Sequence, residues 1–131
     1  MTDLRQTVEM PEKVAPVVIF GAGSIVTDAH LPAYRDLKVP VAGIYDPDLA
    51  KAQKVAGAWG TIAFETLEQA ASQAGVVFDL AVPPAAIPEL LEALPDGAIA
   101  VIQKPLGSDL GEANRIISVL RRKNIKAAVN F

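Results

Sequence analysis

Residues 17–20 read VVIF, four core-type side chains in a row that run directly into Gly21-Ala22-Gly23. A strand with water on one face alternates apolar and polar residues, so one that is apolar throughout must be covered on both faces. A chain holding such a strand is committed to a sheet sandwiched between helices. Further strands are expected at Val39 to Tyr45, Val76 to Val82 (VVFDLAV), Ala98 to Ile102 (AIAVI, apolar throughout) and Ile125 to Phe131, with a shorter strand around Thr61 to Phe64. Helical patterns fill the intervals: about 24–36, Asp48 to Ala58 (DLAKAQKVAGA), Glu65 to Gln73, Ala85 to Leu94, and a helix opened by Asp109. That last helix is the best marked. Asp109 can cap it, Glu112 stands three residues on in capping-box relation, and Ala113, Ile116, Ile117 and Leu120 form one apolar stripe. Arg121-Arg122-Lys123 suit its negative carboxyl end.

Strand and helix alternating about six times with short connections imply an α/β domain: a doubly wound parallel sheet of about six strands, helices on both faces, three αβα layers. The domain is expected over residues 15–131, preceded by a polar tail at 1–14 that carries Pro11 and shows no sustained period. Such sheets bind ligands beyond the carboxyl ends of their strands, where the strand order reverses.

Composition narrows the function. With no cysteine there is no disulfide framework, thiolate metal site or cysteine nucleophile, and a single histidine argues against most zinc sites. No metal site is expected. A net charge of -3 offers no polycation face, which argues against nucleic acid or an anionic membrane as partner. No apolar run approaches the ~18 residues of a membrane span, and the first residues lack the order of a signal peptide. A cytoplasmic location is expected.

The turn after the first strand carries the chemistry. Gly21 permits a tight turn, and Gly23, lacking a Cβ, lets a diphosphate approach the backbone while N–H groups of the following helix point at it. Gly21, Ala22, Gly23, Ser24 and Ile25 are the expected cradle. In the pattern G-x-G-x-x-G the third glycine is replaced by Val26. Asp46, 25 residues after Gly21 at the end of the second strand, can accept hydrogen bonds from both hydroxyls of an adenosine ribose and would repel a 2'-phosphate. Pro47 and Asp48 follow it rather than an arginine, so NAD(H) is expected in preference to NADP(H).

GAGSIVTDAHLPAY, the Asp46 strand end, DLAVPP, and VIQKPLGSD followed by a helix and AAVNF resemble, in order and spacing, the nucleotide-binding half of the Gfo/Idh/MocA oxidoreductases, from about Val17 to Phe131. The resemblance implies a Rossmann fold. It matches Gln103-Lys104-Pro105 to the family's Glu-Lys-Pro motif, with Lys104 as the catalytic residue reaching nicotinamide and substrate across a cis Lys104-Pro105 peptide. Val82-Pro83 matches the family's Thr-Pro lining the nicotinamide path. Gln103, Val82 and Ile87 replace the usual glutamate, threonine and histidine.

In that family a second domain supplies the substrate pocket, so the implied reaction is hydride transfer between nicotinamide and a hydroxyl-bearing carbon of a sugar or cyclitol-like substrate, by a longer protein. The present stretch reads as its cofactor domain, a piece of a longer dehydrogenase or a naturally short relative, expected to bind cofactor but turn over nothing alone, and open to self-association. A non-catalytic NAD(H)-sensing regulator and an S-adenosylmethionine-dependent methyltransferase are the alternatives. His30 reads as a packing or hydrogen-bonding histidine, Trp59 as core or edge packing, and Asp79, inside an apolar strand, is assigned no chemistry.

Overall fold

The structure is a computed structural model that describes residues 8–131. Part of the expected tail, residues 1–7, lies outside the described residues; 8–16 form neither helix nor strand. Five parallel strands make the sheet: β1 (Val17–Phe20), β2 (Val41–Tyr45), β3 (Val77–Leu80), β4 (Ile99–Gln103) and β5 (Lys126–Asn130). Their order is β2-β1-β3-β4-β5. From β1 the chain steps outward to β2, crosses back to β3 on the other side of β1, and continues outward to β4 and β5. The reversal falls between β1 and β3, whose register runs Val17↔Val77 to Phe20↔Leu80.

Alternation along the strands splits the core into two layers. Val17, Ile19 and Ile44 face one way, packing with Val26 and with residues of helices α1 (Leu31–Asp36) and α2 (Leu49–Trp59). On the other face Val18, Phe20, Phe78, Leu80, Ala100 and Ile102 meet α3 (Leu67–Ala71), α4 (Ile87–Ala93) and α5 (Leu110–Arg122). All four side chains of β1 are buried, each burial stabilising the fold by roughly 1.5–3 kcal/mol relative to exposure. That is why no polar residue interrupts VVIF.

Capping chemistry sets the helix ends. Asp48 accepts a hydrogen bond from the Lys51 N–H, and Thr66 and Gln69 form a reciprocal capping box at α3. Asp109 accepts from the Glu112 N–H at 2.8 Å, as its sequence position predicts. The reciprocal half of that box is not made: Glu112 Oε1 is buried without a partner. At the carboxyl end of α5, Arg122 pairs with Glu92 of α4, and Lys123 Nζ donates to the Glu92 carbonyl at 2.7 Å.

The short strand expected at Thr61 to Phe64 shrinks to a single bridge between Ala63 and Ile44, leaving five strands. From the sheet, Ile44 bonds this segment by its backbone, receiving a hydrogen bond from the Phe64 N–H and giving one to the Ile62 carbonyl. Phe64 then turns its ring into the core against Gly43, where a Cβ would overlap that ring. The segment is anchored by packing rather than by a ladder.

On the sheet face that α1 and α2 cover, β4 and β5 have no helix over them among the described residues. Ile99 and Ala128 are exposed there, and β5 is an edge strand.

Candidate functional site

Because all five strands are parallel, the sequence-predicted residues share one edge of the sheet. Gly21 follows β1, Asp46 follows β2, Val82-Pro83 follow β3, and Gln103-Lys104 close β4. Gly21 has a φ of 107°, and a Cβ there would overlap the Ala81 carbonyl oxygen, so only glycine lets the chain leave β1 beside β3. Its N–H donates to the Tyr45 carbonyl at 2.7 Å. A Cβ on Gly23, in contrast, would meet no protein atom within 4 Å.

The helix after the turn starts with the Gly23 carbonyl, which accepts from the N–H groups of Val26 and Thr27. The N–H groups of Gly23, Ser24 and Ile25 therefore have no carbonyl of a preceding turn to bond, the arrangement that receives an anion at a helix start. Val26, in the place of the third glycine, is fully buried, and the chain passes from it through a π-helical turn, Val26–His30, into α1. The Leu31 N–H reaches back five residues to the Val26 carbonyl, so the wider turn sits where the extra side chain does.

Asp46 is half-buried and already bonded. One carboxylate oxygen accepts from the Ala22 N–H at 2.9 Å and the other from the Asp48 N–H at 2.9 Å. The first bond ties the end of β2 to the glycine turn across 24 residues of sequence. Each oxygen retains acceptor capacity for a ligand hydroxyl. Beside Asp46 lies a pocket of about 150 Å³ lined by Phe20, Gly21, Tyr45, Pro47, Leu67, Val82, Ala86, Glu89 and Leu90. Val82, expected along the nicotinamide path, forms part of this pocket together with Pro47. Leu67, Ala86, Glu89 and Leu90 carry no sequence signal of their own, since separate elements bring them together.

Lys104 is exposed, its N–H donates to the Asn130 carbonyl at 3.1 Å, and the Lys104-Pro105 peptide is cis. Gln103 accepts from Asn130 Nδ2 at 3.2 Å, joining the ends of β4 and β5.

A buried polar cluster completes the region. Asp79, fully buried in β3, accepts on one oxygen from His30 Nδ1 at 2.7 Å and from the Tyr34 hydroxyl at 2.7 Å. The hydrogen bond to Asp79 raises the His30 pKa above its ordinary 6.5, burial opposing it and the Asp79 charge assisting it. Gln103 favours the protonated ring as well, although no hydrogen bond to Nε2 is formed. Burial, then the Asp79 charge, pushes the Tyr34 hydroxyl upward. Sequence reasoning gave Asp79 no role and left Tyr34 unremarked; their partners stand 49 and 45 residues apart, so no local pattern joins them.

A doubly wound sheet with a glycine turn and an acidic residue at the next strand end defines a nucleotide-binding domain. The family model for the Gfo/Idh/MocA oxidoreductases, with NAD-binding Rossmann fold, matches residues 15–131, and the chain belongs to that family. No curated protein matches it. Among solved structures, a dehydrogenase (MviM) from Clostridium difficile superposes with a TM-score of 0.76 at 22% identity, over 90% of this chain and 39% of that one. UDP-N-acetylglucosamine 3-dehydrogenase from Acidithiobacillus ferrooxidans gives 0.74 at 20% identity, over 89% of this chain and 37% of that one. KijD10, a 3-ketoreductase from Actinomadura kijaniata in complex with TDP-benzene and NADP, gives 0.74 at 21%, over 90% and 37%. The chain thus spans well under half the length of these proteins. No described helix is long and apolar enough to cross a membrane.

Proposed function

We propose that this chain is the cofactor-binding part of a nicotinamide-dependent dehydrogenase and that it prefers NAD(H) to NADP(H). The observation that carries the reading is the Asp46 carboxylate, held against the glycine turn by the Ala22 N–H with Pro47 and Asp48 beyond it. A carboxylate so placed accepts from ribose hydroxyls and repels a 2'-phosphate, and the residues directly after it, Pro47 and Asp48, bring no cation to offset that repulsion. The N–H groups of Gly23, Ser24 and Ile25 would meet the diphosphate. The pocket beside Asp46 would take the adenine, its Val82 wall included, and Pro83 and Gln103 would line the way towards the nicotinamide, which when bound supplies hydride chemistry at a ring carbon.

Lys104 is the group of this chain proposed to touch the reacting substrate. Its ammonium would polarise the oxygen of a hydroxyl-bearing carbon on a sugar or cyclitol-like molecule, the rest of that pocket coming from a further domain. The UDP-N-acetylglucosamine named for the dehydrogenase from Acidithiobacillus ferrooxidans supports this substrate class. On this reading the present stretch binds cofactor and is inactive by itself.

Parallel calorimetric titration with NADH, NADPH and S-adenosylmethionine tests the proposal. Saturable heat with NADH, weaker heat with NADPH and none with S-adenosylmethionine is expected; equal affinity for the two nicotinamide cofactors would refute the reading of Asp46.

A further inference from the structure

We infer that Glu89 recognises the base of the bound dinucleotide by accepting a hydrogen bond from its exocyclic amine, so that the site takes adenine and discriminates against the 6-oxo base hypoxanthine. This rests on the dinucleotide reading above and deepens it. A ribose held at Asp46 places its base in the adjoining pocket, because Pro47, the next residue, forms one wall and the Gly21 turn another. Phe20, Leu67, Val82 and Leu90 supply further walls, which fit a flat ring but give it no direction.

Glu89 is the one charged residue among those lining the pocket. It lies in the first turn of α4, is exposed, and makes no hydrogen bond or ion pair with any described residue. A carboxylate offers acceptors only, whereas an adenine attached to ribose offers N–H donors only at its 6-amino group. The pairing is therefore fixed by elimination. Hypoxanthine carries an oxygen at that position, so a carboxylate aimed there would face a second acceptor and would have to shift to the neighbouring N1–H to regain a donor. The first turn of a helix suits an acidic residue for reasons of its own, but a helix-end effect does not distinguish one base from another.

The test is calorimetry of the wild-type chain, Glu89→Ala and Glu89→Gln with NADH and with reduced nicotinamide hypoxanthine dinucleotide. The wild type should favour NADH by about three- to tenfold, the effect of one partly solvated hydrogen bond. Glu89→Ala should bring the ratio close to one by weakening NADH alone. In Glu89→Gln the ratio should shrink by a different route, since the carboxamide can donate to the 6-oxo group and tighten the hypoxanthine ligand. Binding of both ligands with a ratio of one in the wild type, or with a ratio that survives Glu89→Ala, overturns the inference and leaves the dinucleotide reading standing. Binding of neither ligand by the wild type overturns both.

Discussion

Replacing His30 by alanine removes one of the two donors that hold the Asp79 carboxylate inside β3. Asp79 is fully buried, His30 is 8% exposed, and the second oxygen of Asp79 has no partner even in the intact cluster. Only the Tyr34 hydroxyl would remain on the carboxylate. Breaking a buried pair by deleting one partner costs about 3–5 kcal/mol, because the other group is left uncompensated. For a chain of this size that lowers the melting temperature by about 10–20 °C. The effect should depend on pH with a definite sign. The folded-state pKa of His30 is raised above 6.5, so its charge contributes stability that is complete below 6.5 and is lost as pH rises through the folded value. The gap between wild type and His30→Ala, measured by urea denaturation followed by circular dichroism, should therefore be largest near pH 6 and smaller at pH 9. His30→Asn, which keeps a neutral donor near the place of Nδ1, should recover part of the stability without the pH dependence. A loss below about 1 kcal/mol, or one unchanged between pH 6 and pH 9, would refute the reasoning.

Asp46→Ala removes both the expected ribose acceptor and the acceptor of the Ala22 N–H; NADH affinity should fall roughly ten- to hundredfold and the preference over NADPH should narrow, as calorimetry would show. Lys104→Ala, by contrast, should leave NADH affinity nearly unchanged, and a large loss would move Lys104 from the substrate side to the cofactor side. Gly21→Ala forces a side chain into the Ala81 carbonyl at a φ of 107° and should cost at least ~1–3 kcal/mol in chemical denaturation; a neutral substitution would contradict the close approach of the β1 turn to β3.

The elements most legible in the sequence were those whose side chains are buried on both faces. VVIF is unbroken because helices cover both faces of the strand it forms, whereas AIAVI is apolar although Ile99 at its start is exposed, and Asp48 and Asp109 cap the helices whose starts they mark. Gly21 and Asp46 were legible as a pair because their spacing reflects one helical segment and the strand that follows it. TIAF looked like a strand and became one bridge, since apolar character reports burial and does not require a ladder: Phe64 is buried by its ring, not by strand pairing. Asp79 was illegible for the opposite reason. A carboxylate in an apolar run carries no sign of which distant donors satisfy it, and His30 and Tyr34, four residues apart on successive turns, come to it only through the packing of α1 on the sheet. Leu67 and Glu89 enter the pocket by the same kind of convergence.

The central claim is that the carboxyl edge around Gly21 and Asp46 holds a dinucleotide. Amide chemical shifts of the ¹⁵N-labelled chain during titration with NADH test it most directly. Saturable shifts concentrated at Gly23, Ser24, Ile25, Asp46 and Val82, with the amides of β5 little changed, are the predicted result. Shifts confined to other surfaces, or none at saturating NADH, would contradict it.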